Sequence, residues 1–112
     1  METALAAEHS WFTIDPVPIA QLTLEIRIEM SQSLKDKRQV VRSLKDKLRA
    51  HFNVSVAELE ETDLWQRATI GVVAISSSRD YLAGQMQLIE KQAVRIANDN
   101  GAEVVDSFLE YF

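Results

Sequence analysis

The sequence predicts an α+β domain in which an antiparallel sheet carries two helices on one face. Residues 19–30 alternate between apolar and polar side chains, which is the period of a half-buried strand. Residues 33–52 and 79–98 repeat apolar side chains at intervals of three and four, as amphipathic helices do. Further strand-like segments lie at residues 53–61, 64–76 and 102–111. The resulting order is strand, helix, strand, strand, helix, strand.

The first predicted helix has clear signals at its start and along its buried side. Ser33 is placed to cap it, and Asp36 stands three residues later, where it can reach back as in a capping box. A single arc of the helical wheel collects its apolar side chains, which are Leu34, Val41, Leu44, Leu48 and Phe52. This arc predicts the face that packs on the sheet.

The later elements are predicted from similar patterns. The alternation in residues 53–61 slips near Ala57, so we expect a bulge in that strand. Residues 64–76 are apolar on both faces, which predicts a central strand, and Gly71 within them indicates a close backbone approach or a bulge. Residues 76–78 are three serines that can cap the second helix, and Asn100-Gly101 ends it.

This element order predicts the split βαβ, or ferredoxin-like, βαββαβ arrangement. Right-handed crossovers then place both helices on one face of the sheet. The opposite, open face is expected to carry Glu25 and Arg27 beside Val73 and Ile75. Such a mixed surface suits a partner or a second copy of the chain.

The domain organisation predicted is an N-terminal extension over residues 1–18 and a single ferredoxin-like domain over residues 19–112. Pro16 and Pro18 punctuate the end of the extension. Apolar residues within it, Trp11, Phe12 and Ile14, either dock on the domain or belong to a loosely attached arm.

Composition narrows the function classes. With 46% hydrophobic residues in 112, the chain has enough apolar material for a core. It has no cysteine, which excludes disulfides, thiolate nucleophiles and zinc–thiolate sites. No stretch approaches the ~20 apolar residues of a membrane span, and the first residues lack the cationic start of a secretory signal. We therefore expect a cytoplasmic protein without membrane association.

Charge is distributed unevenly along an acidic chain. The net charge is −5, yet residues 35–51 hold seven basic and two acidic residues, a net of +5. The rest of the chain therefore carries −10. A split of this kind makes one surface attractive to anions.

Five of these cations fall together on the helical wheel beside the apolar arc, and we call them the basic row: Lys35, Arg38, Arg42, Lys45 and Arg49. On the wheel we expect Asp36 and Asp46 to point elsewhere. Like charges at this spacing cost a few tenths of a kcal/mol per pair. Either the row is a solvated flank that covers apolar surface with its stems, or it faces an anion such as a phosphate backbone or an acidic partner.

The sequence contains no catalytic constellation, so we expect no enzyme and no cofactor. The two histidines, His9 and His51, stand apart from any nucleophile or acid that would make them a base. An acidic group at Glu58, Glu60, Glu61 and Asp63 lacks the spacing of a Ca²⁺ loop, and we interpret it as a solvated hairpin without a metal. Trp65 and Arg67 are secondary candidates for partner contact, against a purely packing role.

Three blocks of sequence resemble the YlxP-like family, a bacterial group of unknown function. They are Ser33-Leu34-Lys35-Asp36-Lys37-Arg38, then Phe52-Asn53-Val54-Ser55-Val56-Ala57-Glu58, then Asp63-Leu64-Trp65-Gln66-Arg67-Ala68. The resemblance implies a ferredoxin-like fold and genes often adjacent to those of translation factors. Gln32 stands where members often carry histidine, so no role of that histidine is carried over, and residues 1–18 have no recognised counterpart.

Two functions follow as expectations. The first is a non-enzymatic RNA- or ribosome-associated accessory factor that uses the basic row. The central strands lack the aromatic side chains with which RNA-recognition sheets stack bases, so RNA contact would run through phosphates. The alternative is a homodimeric protein-interaction module with no nucleic-acid role.

Overall fold

The computed structural model describes residues 17–60 and 64–112. Its six elements are β1 (Ile19–Arg27), α1 (Leu34–His51), β2 (Ser55–Glu60), β3 (Arg67–Ile75), α2 (Arg79–Asp99) and β4 (Glu103–Tyr111). The predicted order βαββαβ is confirmed. The third strand begins at Arg67 rather than at residue 64, because residues 65 and 66 form a turn that leads into it.

The four strands form one antiparallel sheet in the order β2-β3-β1-β4. In the middle of the sheet Leu24 of β1 lies opposite Ile70 of β3 and Ser107 of β4. The register of the β2–β3 pair shifts between Glu58 and Glu60, which confirms the bulge expected in that strand. β3 is an interior strand, as its two apolar faces predicted, and the ferredoxin-like fold is confirmed.

Both helices pack on the same face of the sheet and enclose the core. The sheet contributes Leu22, Leu24, Ile26, Ile70 and Val72, α1 contributes Leu44 and Leu48, and α2 contributes Leu82, Met86 and Ile89. Each is at most 2% exposed. Burial of one such large aliphatic side chain contributes about 1.5–3 kcal/mol to folding. The basic row therefore lies on a helix whose opposite side is packed in the core.

The start of α1 is capped as predicted. Ser33 Oγ accepts a hydrogen bond from the Asp36 backbone N–H at 3.1 Å, and Asp36 Oδ2 accepts one from the Gln32 N–H at 2.9 Å. At the far end of α2, Asn100 Nδ2 donates to Ser43 Oγ of α1 at 3.1 Å. Gly101 follows with φ of 73°, a left-handed conformation that glycine adopts without strain. The bond from Asn100 to Ser43 joins the end of α2 to α1.

The sheet face opposite the helices is open within the described residues. Glu25 and Arg27 are exposed on it, as expected, together with Val73 and Ile75, which is 60% exposed. Gly71 lies beneath Leu59, because a Cβ built on Gly71 would be 2.8 Å from Leu59 Cδ2. The group that approaches this glycine is thus the Leu59 side chain, and not the backbone that the sequence pattern indicated. Residues 1–16, with Trp11, Phe12 and Ile14, lie outside the described residues.

Neither α1 nor α2 is long and apolar enough to cross a membrane, and no other helix occurs in the described part of the chain.

Candidate anion-binding groove

A groove of about 240 Å³ runs along α1 beside the edge strand β2. Four members of the basic row line it, namely Arg38, Arg42, Lys45 and Arg49. They recur every three or four residues, so the helical periodicity stacks their side chains on one flank of α1. Lys35, the fifth member, is exposed near the start of the helix and does not line the groove.

The groove also contains two carboxylates and one apolar side chain. Val41 and Glu58 line it, and Asp46 lies among the cations. We expected Asp46 to point away from the basic row, and this expectation was wrong. Asp46 follows Arg42 by four residues, so both project from the same flank of α1. The groove is therefore predominantly, but not purely, cationic.

Arg49 connects the helix to the neighbouring strand. Its Nη2 donates a hydrogen bond to the backbone carbonyl of Val56 in β2, at 3.0 Å. A guanidinium has five N–H donors, so one such bond restrains the group while others still face the groove. The Arg49 side chain remains exposed overall.

Lys37 is the residue that sequence reasoning missed. It is only 3% exposed, and its Nζ lies 3.4 Å from Oε2 of Glu58. The signal was present in the sequence, because Lys37 precedes Val41, Leu44 and Leu48 by four, seven and eleven residues. This spacing places it within the apolar arc of α1 and not on its basic flank. Its ammonium thus reaches β2 from beneath the helix.

The cations of the basic row form no direct ion pair with a carboxylate within the described residues. Across residues 17–60 and 64–112, the side-chain ion pairs within 4 Å join Arg27 to Glu103 and Lys37 to Glu58. No member of the basic row takes part in one. Glu58, the less exposed of the two acids that line the groove, already has a cationic partner in Lys37. The four cations in the groove are thus available to an external anion.

A second, larger concavity of about 530 Å³ lies at the end of the β1–β3 pair. Arg27, Glu29, Leu64, Trp65, Gln66 and Arg67 line it. Trp65 is 49% exposed, and Gln66 Nε2 donates to the Glu29 carbonyl at 3.1 Å, which fixes the turn before β3. The secondary candidates Trp65 and Arg67 thus line the same concavity. This concavity is separate from the α1 groove, and the two have no lining residue in common.

Arg27 at this second concavity is held by β4. It donates a hydrogen bond to Glu103, its cross-strand partner, and this bond and the Glu103 charge raise the pKa of Arg27 above its ordinary value. The hydrogen bond and ion pair therefore hold the guanidinium against β4. Arg67 lies opposite Arg27 in the β1–β3 register. The guanidinium groups of Arg27 and Arg67 and the indole of Trp65 thus line the same concavity.

Other side chains that the sequence singled out have local roles. His51 Nδ1 lies 2.8 Å from the Lys47 carbonyl in the last turn of α1. Ser78 caps α2 by accepting from the Tyr81 N–H, and Ser76 Oγ accepts from the Ser78 N–H. Of the acidic group, Glu58 pairs with Lys37, whereas Glu61 and Asp63 lie outside the described residues, as does His9. The described parts of the chain contain no group of three potential metal ligands.

Comparison with known proteins gives relatives of unknown activity and structures of similar fold. The chain is 39% identical over 57 residues to the uncharacterized protein YlxP of Bacillus subtilis (strain 168), a match that covers 51% of this chain and 62% of that protein. A dinuclear metal-binding M20-family peptidase of Bacillus subtilis, YXEP, matches with a TM-score of 0.55 at 14% identity. That match covers 86% of this chain and 26% of the peptidase.

A C-terminal segment of the alpha subunit of aIF2 from Pyrococcus abyssi matches with a TM-score of 0.50 at 16% identity, covering 89% of this chain and 53% of that one. At such identities the two structural matches show the fold alone. The family described as "Protein of unknown function (DUF503)" matches residues 19–108, nearly the whole predicted domain. The chain belongs to the DUF503 family.

Proposed function

We propose that the protein is a non-enzymatic accessory factor that associates with RNA or a ribosomal particle through phosphate contacts in the α1 groove. One observation carries this proposal. Four cations, Arg38, Arg42, Lys45 and Arg49, line one groove, and within the described residues none of them is ion-paired to a carboxylate. Keeping like charges together on one flank costs stability, and an external anion would offset that cost.

The dimensions of the row suit a polyanion better than a single small ion. From Arg38 to Arg49 the helix rises by about 16 Å, at 1.5 Å per residue. A strand of RNA can therefore present several phosphates to the four side chains in turn. Arginine and lysine at a phosphate backbone supply affinity with little sequence preference. The proposed contact positions the protein on RNA and does not read bases.

The acidic remainder of the chain does not prevent this contact. At about 0.1 M salt the Debye length is about 10 Å, so exposed charges farther from the groove are largely screened. The same acidic surface repels RNA elsewhere and restricts docking to the basic flank. Such a factor would act in the cytoplasm, where translation takes place.

Trp65 and Arg67 supply a second contact in this proposal. An exposed indole offers a flat surface for an unpaired base, and neighbouring guanidinium groups suit a phosphate. The 530 Å³ concavity is large enough for one nucleotide-sized group. It would add affinity at a point separate from the groove.

Co-sedimentation with ribosomal particles tests the proposal. The triple variant Arg38→Gln, Arg42→Gln, Arg49→Gln removes three groove cations. The control Arg79→Gln, Lys91→Gln, Arg95→Gln removes three exposed cations from α2, so its net charge equals that of the groove variant. We expect the first variant to leave the particle fraction and the control to stay in it. Equal co-sedimentation of the wild type and both variants would remove the proposal.

A second candidate function is a homodimeric protein-interaction module with no nucleic-acid role. The exposed apolar side chains on the open sheet face favour it, because Val73, Ile75 and Phe108 are 38%, 60% and 60% exposed. A patch of this kind commonly marks a protein contact. Light scattering on the full chain and on a chain lacking residues 1–18 tests it. A strict monomer in both counts against this function.

A further inference from the structure

The two edges of the sheet are protected to different degrees. β2 has six residues, carries a bulge, and its Val56 carbonyl is occupied by the Arg49 side chain. β4 has nine residues and, within the described part of the chain, neighbours β1 alone. Proteins usually blunt exposed edges with charged residues, especially lysine, with proline, with bulges or with short strands. The last seven residues contain no lysine, arginine or proline and no register shift, and their charged side chains are the two acids Asp106 and Glu110.

The hydrogen bonds to β1 reveal which backbone groups of β4 face outward. Ile19 and Phe112 exchange two bonds, N–H to O at 3.4 and 2.8 Å, so they are a hydrogen-bonded pair. Such pairs alternate with non-bonded pairs along an antiparallel ladder. Counting back from Phe112, the N–H and C=O groups of Tyr111, Leu109 and Ser107 therefore point away from β1. In agreement, the Ser107 N–H donates to Asp106 Oδ1 at 2.9 Å and not to a strand.

We propose that this free edge pairs with β4 of a second copy of the chain, antiparallel, with the two-fold axis at Leu109. Axes at Phe108 or Glu110 would also let the two strands exchange bonds. The first, however, sets Asp106 opposite Glu110 of the partner subunit, and the second sets Glu110 opposite its own copy, so both place acid against acid. The axis at Leu109 pairs Ser107 with Tyr111 of the partner subunit and gives six N–H···O bonds, two of which replace the bonds from the two Ser107 N–H groups to Asp106 Oδ1. An axis at Ser107 would run the ladder into the irregularity near Val105, where the β1–β4 register shifts.

The side chains agree with this register. It places Phe108 opposite Glu110 of the partner subunit and Asp106 opposite Phe112 of the partner subunit, so no acid faces an acid. Phe108 and Phe112, which are 60% and 63% exposed, would each gain a cross-strand neighbour on the open face. Leu109 would meet its own copy on the helix side. The charge pattern of an acidic strand is thus compatible with self-pairing in this register.

The consequence is a continuous eight-stranded sheet with the two β2 edges at its ends. Because each α1 groove lies beside β2, the dimer would carry its two grooves at opposite ends. The inference goes beyond RNA association and does not depend on it. It deepens the homodimer candidate by naming the edge of β4, and not the open face, as the contact.

Engineered disulfides test the register directly, since the natural chain has no cysteine. The double variant Phe108→Cys, Glu110→Cys places thiols opposite each other across the interface, in a non-hydrogen-bonded pair with Cα atoms about 4.5 Å apart. Oxidation should convert it to a covalent dimer on a denaturing gel. The control Asp106→Cys, Glu110→Cys has no opposed thiols in this register and should stay largely monomeric. Equal cross-linking of both would overturn the register.

Two single substitutions separate edge pairing from packing through the open face. Leu109→Lys sets two ammonium groups against each other at the axis, so we expect light scattering to fall from two chains to one. Phe108→Lys alters the open face but places its ammonium opposite Glu110 of the partner subunit, so the dimer should persist. Loss of the dimer in Phe108→Lys alone would indicate that the two chains associate through the open face and not through the edge of β4. A monomeric wild type that fails to cross-link refutes self-pairing and leaves RNA association untouched.

Discussion

Lys37 Nζ lies 3.4 Å from Glu58 Oε2, and this pair joins α1 to β2 beneath the basic flank. The lysine side chain is 4% exposed and the glutamate side chain 19% exposed. The buried cation thus engages Glu58, one of the two carboxylates that line the groove. Within the described residues, the cations of the basic row form no ion pair with it.

Loss of Lys37 should damage both stability and anion binding. Lys37→Met keeps the side-chain length but leaves the Glu58 carboxylate without this cation, and we expect a loss of about 1–3 kcal/mol in the free energy of unfolding. RNA affinity should fall about fivefold, because an unpaired carboxylate near bound phosphate costs about 1 kcal/mol. Urea unfolding and RNA titration measure the two effects.

The double variant Lys37→Met, Glu58→Gln serves as the control for that charge effect. With the Glu58 charge removed, we expect RNA affinity to return to the wild-type value. If Lys37→Met and the double variant bind RNA equally weakly, the pair does not act through the Glu58 charge.

The Ser33 cap should contribute measurably to α1. Ser33→Ala removes the acceptor for the Asp36 N–H, and we expect a loss of about 1 kcal/mol in the free energy of unfolding. Ser77→Ala, at an exposed serine one residue before the α2 cap, is the matched control and should change stability little. Chemical denaturation measures both, and equal losses would argue against a specific capping role.

Gly71 and Leu59 should be energetically coupled. Gly71→Ala introduces a methyl group 2.8 Å from Leu59 Cδ2, so the leucine must move and we expect a loss of about 1 kcal/mol. In a Leu59→Ala background the same change should cost nothing or stabilise slightly, because the space is then open. A double-mutant cycle in urea gives the coupling energy, and additive effects would contradict the contact.

Trp65 should matter for binding more than for folding. It is 49% exposed, so Trp65→Ala should change the free energy of unfolding by less than about 1 kcal/mol. If it stacks an unpaired base, RNA affinity should fall about tenfold, within the range of 1–3 kcal/mol for such contacts. Tyr81→Ala, at an aromatic residue 62% exposed on α2, is the control and should leave binding intact.

Much of the fold followed from patterns that depend on local geometry. Periodicity identified the first five elements, whereas residues 102–111 were predicted as a strand despite an irregular pattern. The apolar character of residues 64–76 on both faces predicted the interior position of β3. The start of that strand was placed three residues too early, because Leu64 and Trp65 look strand-like. The tertiary bond from Gln66 to the Glu29 carbonyl helps hold those residues in a turn instead.

The site was predicted less completely, because the sign of a side chain's charge does not say which way that side chain points from the helix. Four members of the basic row do line one groove, but Asp46 joins them and Lys37 leaves the surface. Both outcomes follow from the angular positions of Asp46 and Lys37 on the helix. The apolar spacing gives the position of Lys37 only if a charged residue is allowed within the apolar arc. The partner of Lys37 was not predictable, because the pairing with Glu58 depends on how α1 lies across the sheet.

The salt dependence of RNA binding tests the central claim most directly. Fluorescence anisotropy with a labelled single-stranded RNA gives log K against log salt for the wild type, the groove triple variant and the α2 control. Each phosphate contact contributes about 0.7 to the slope, so the groove variant should lose about two units of slope and roughly a hundredfold in affinity at 0.1 M salt. The control should match the wild type. Identical slopes and affinities for all three proteins would contradict phosphate docking in the groove.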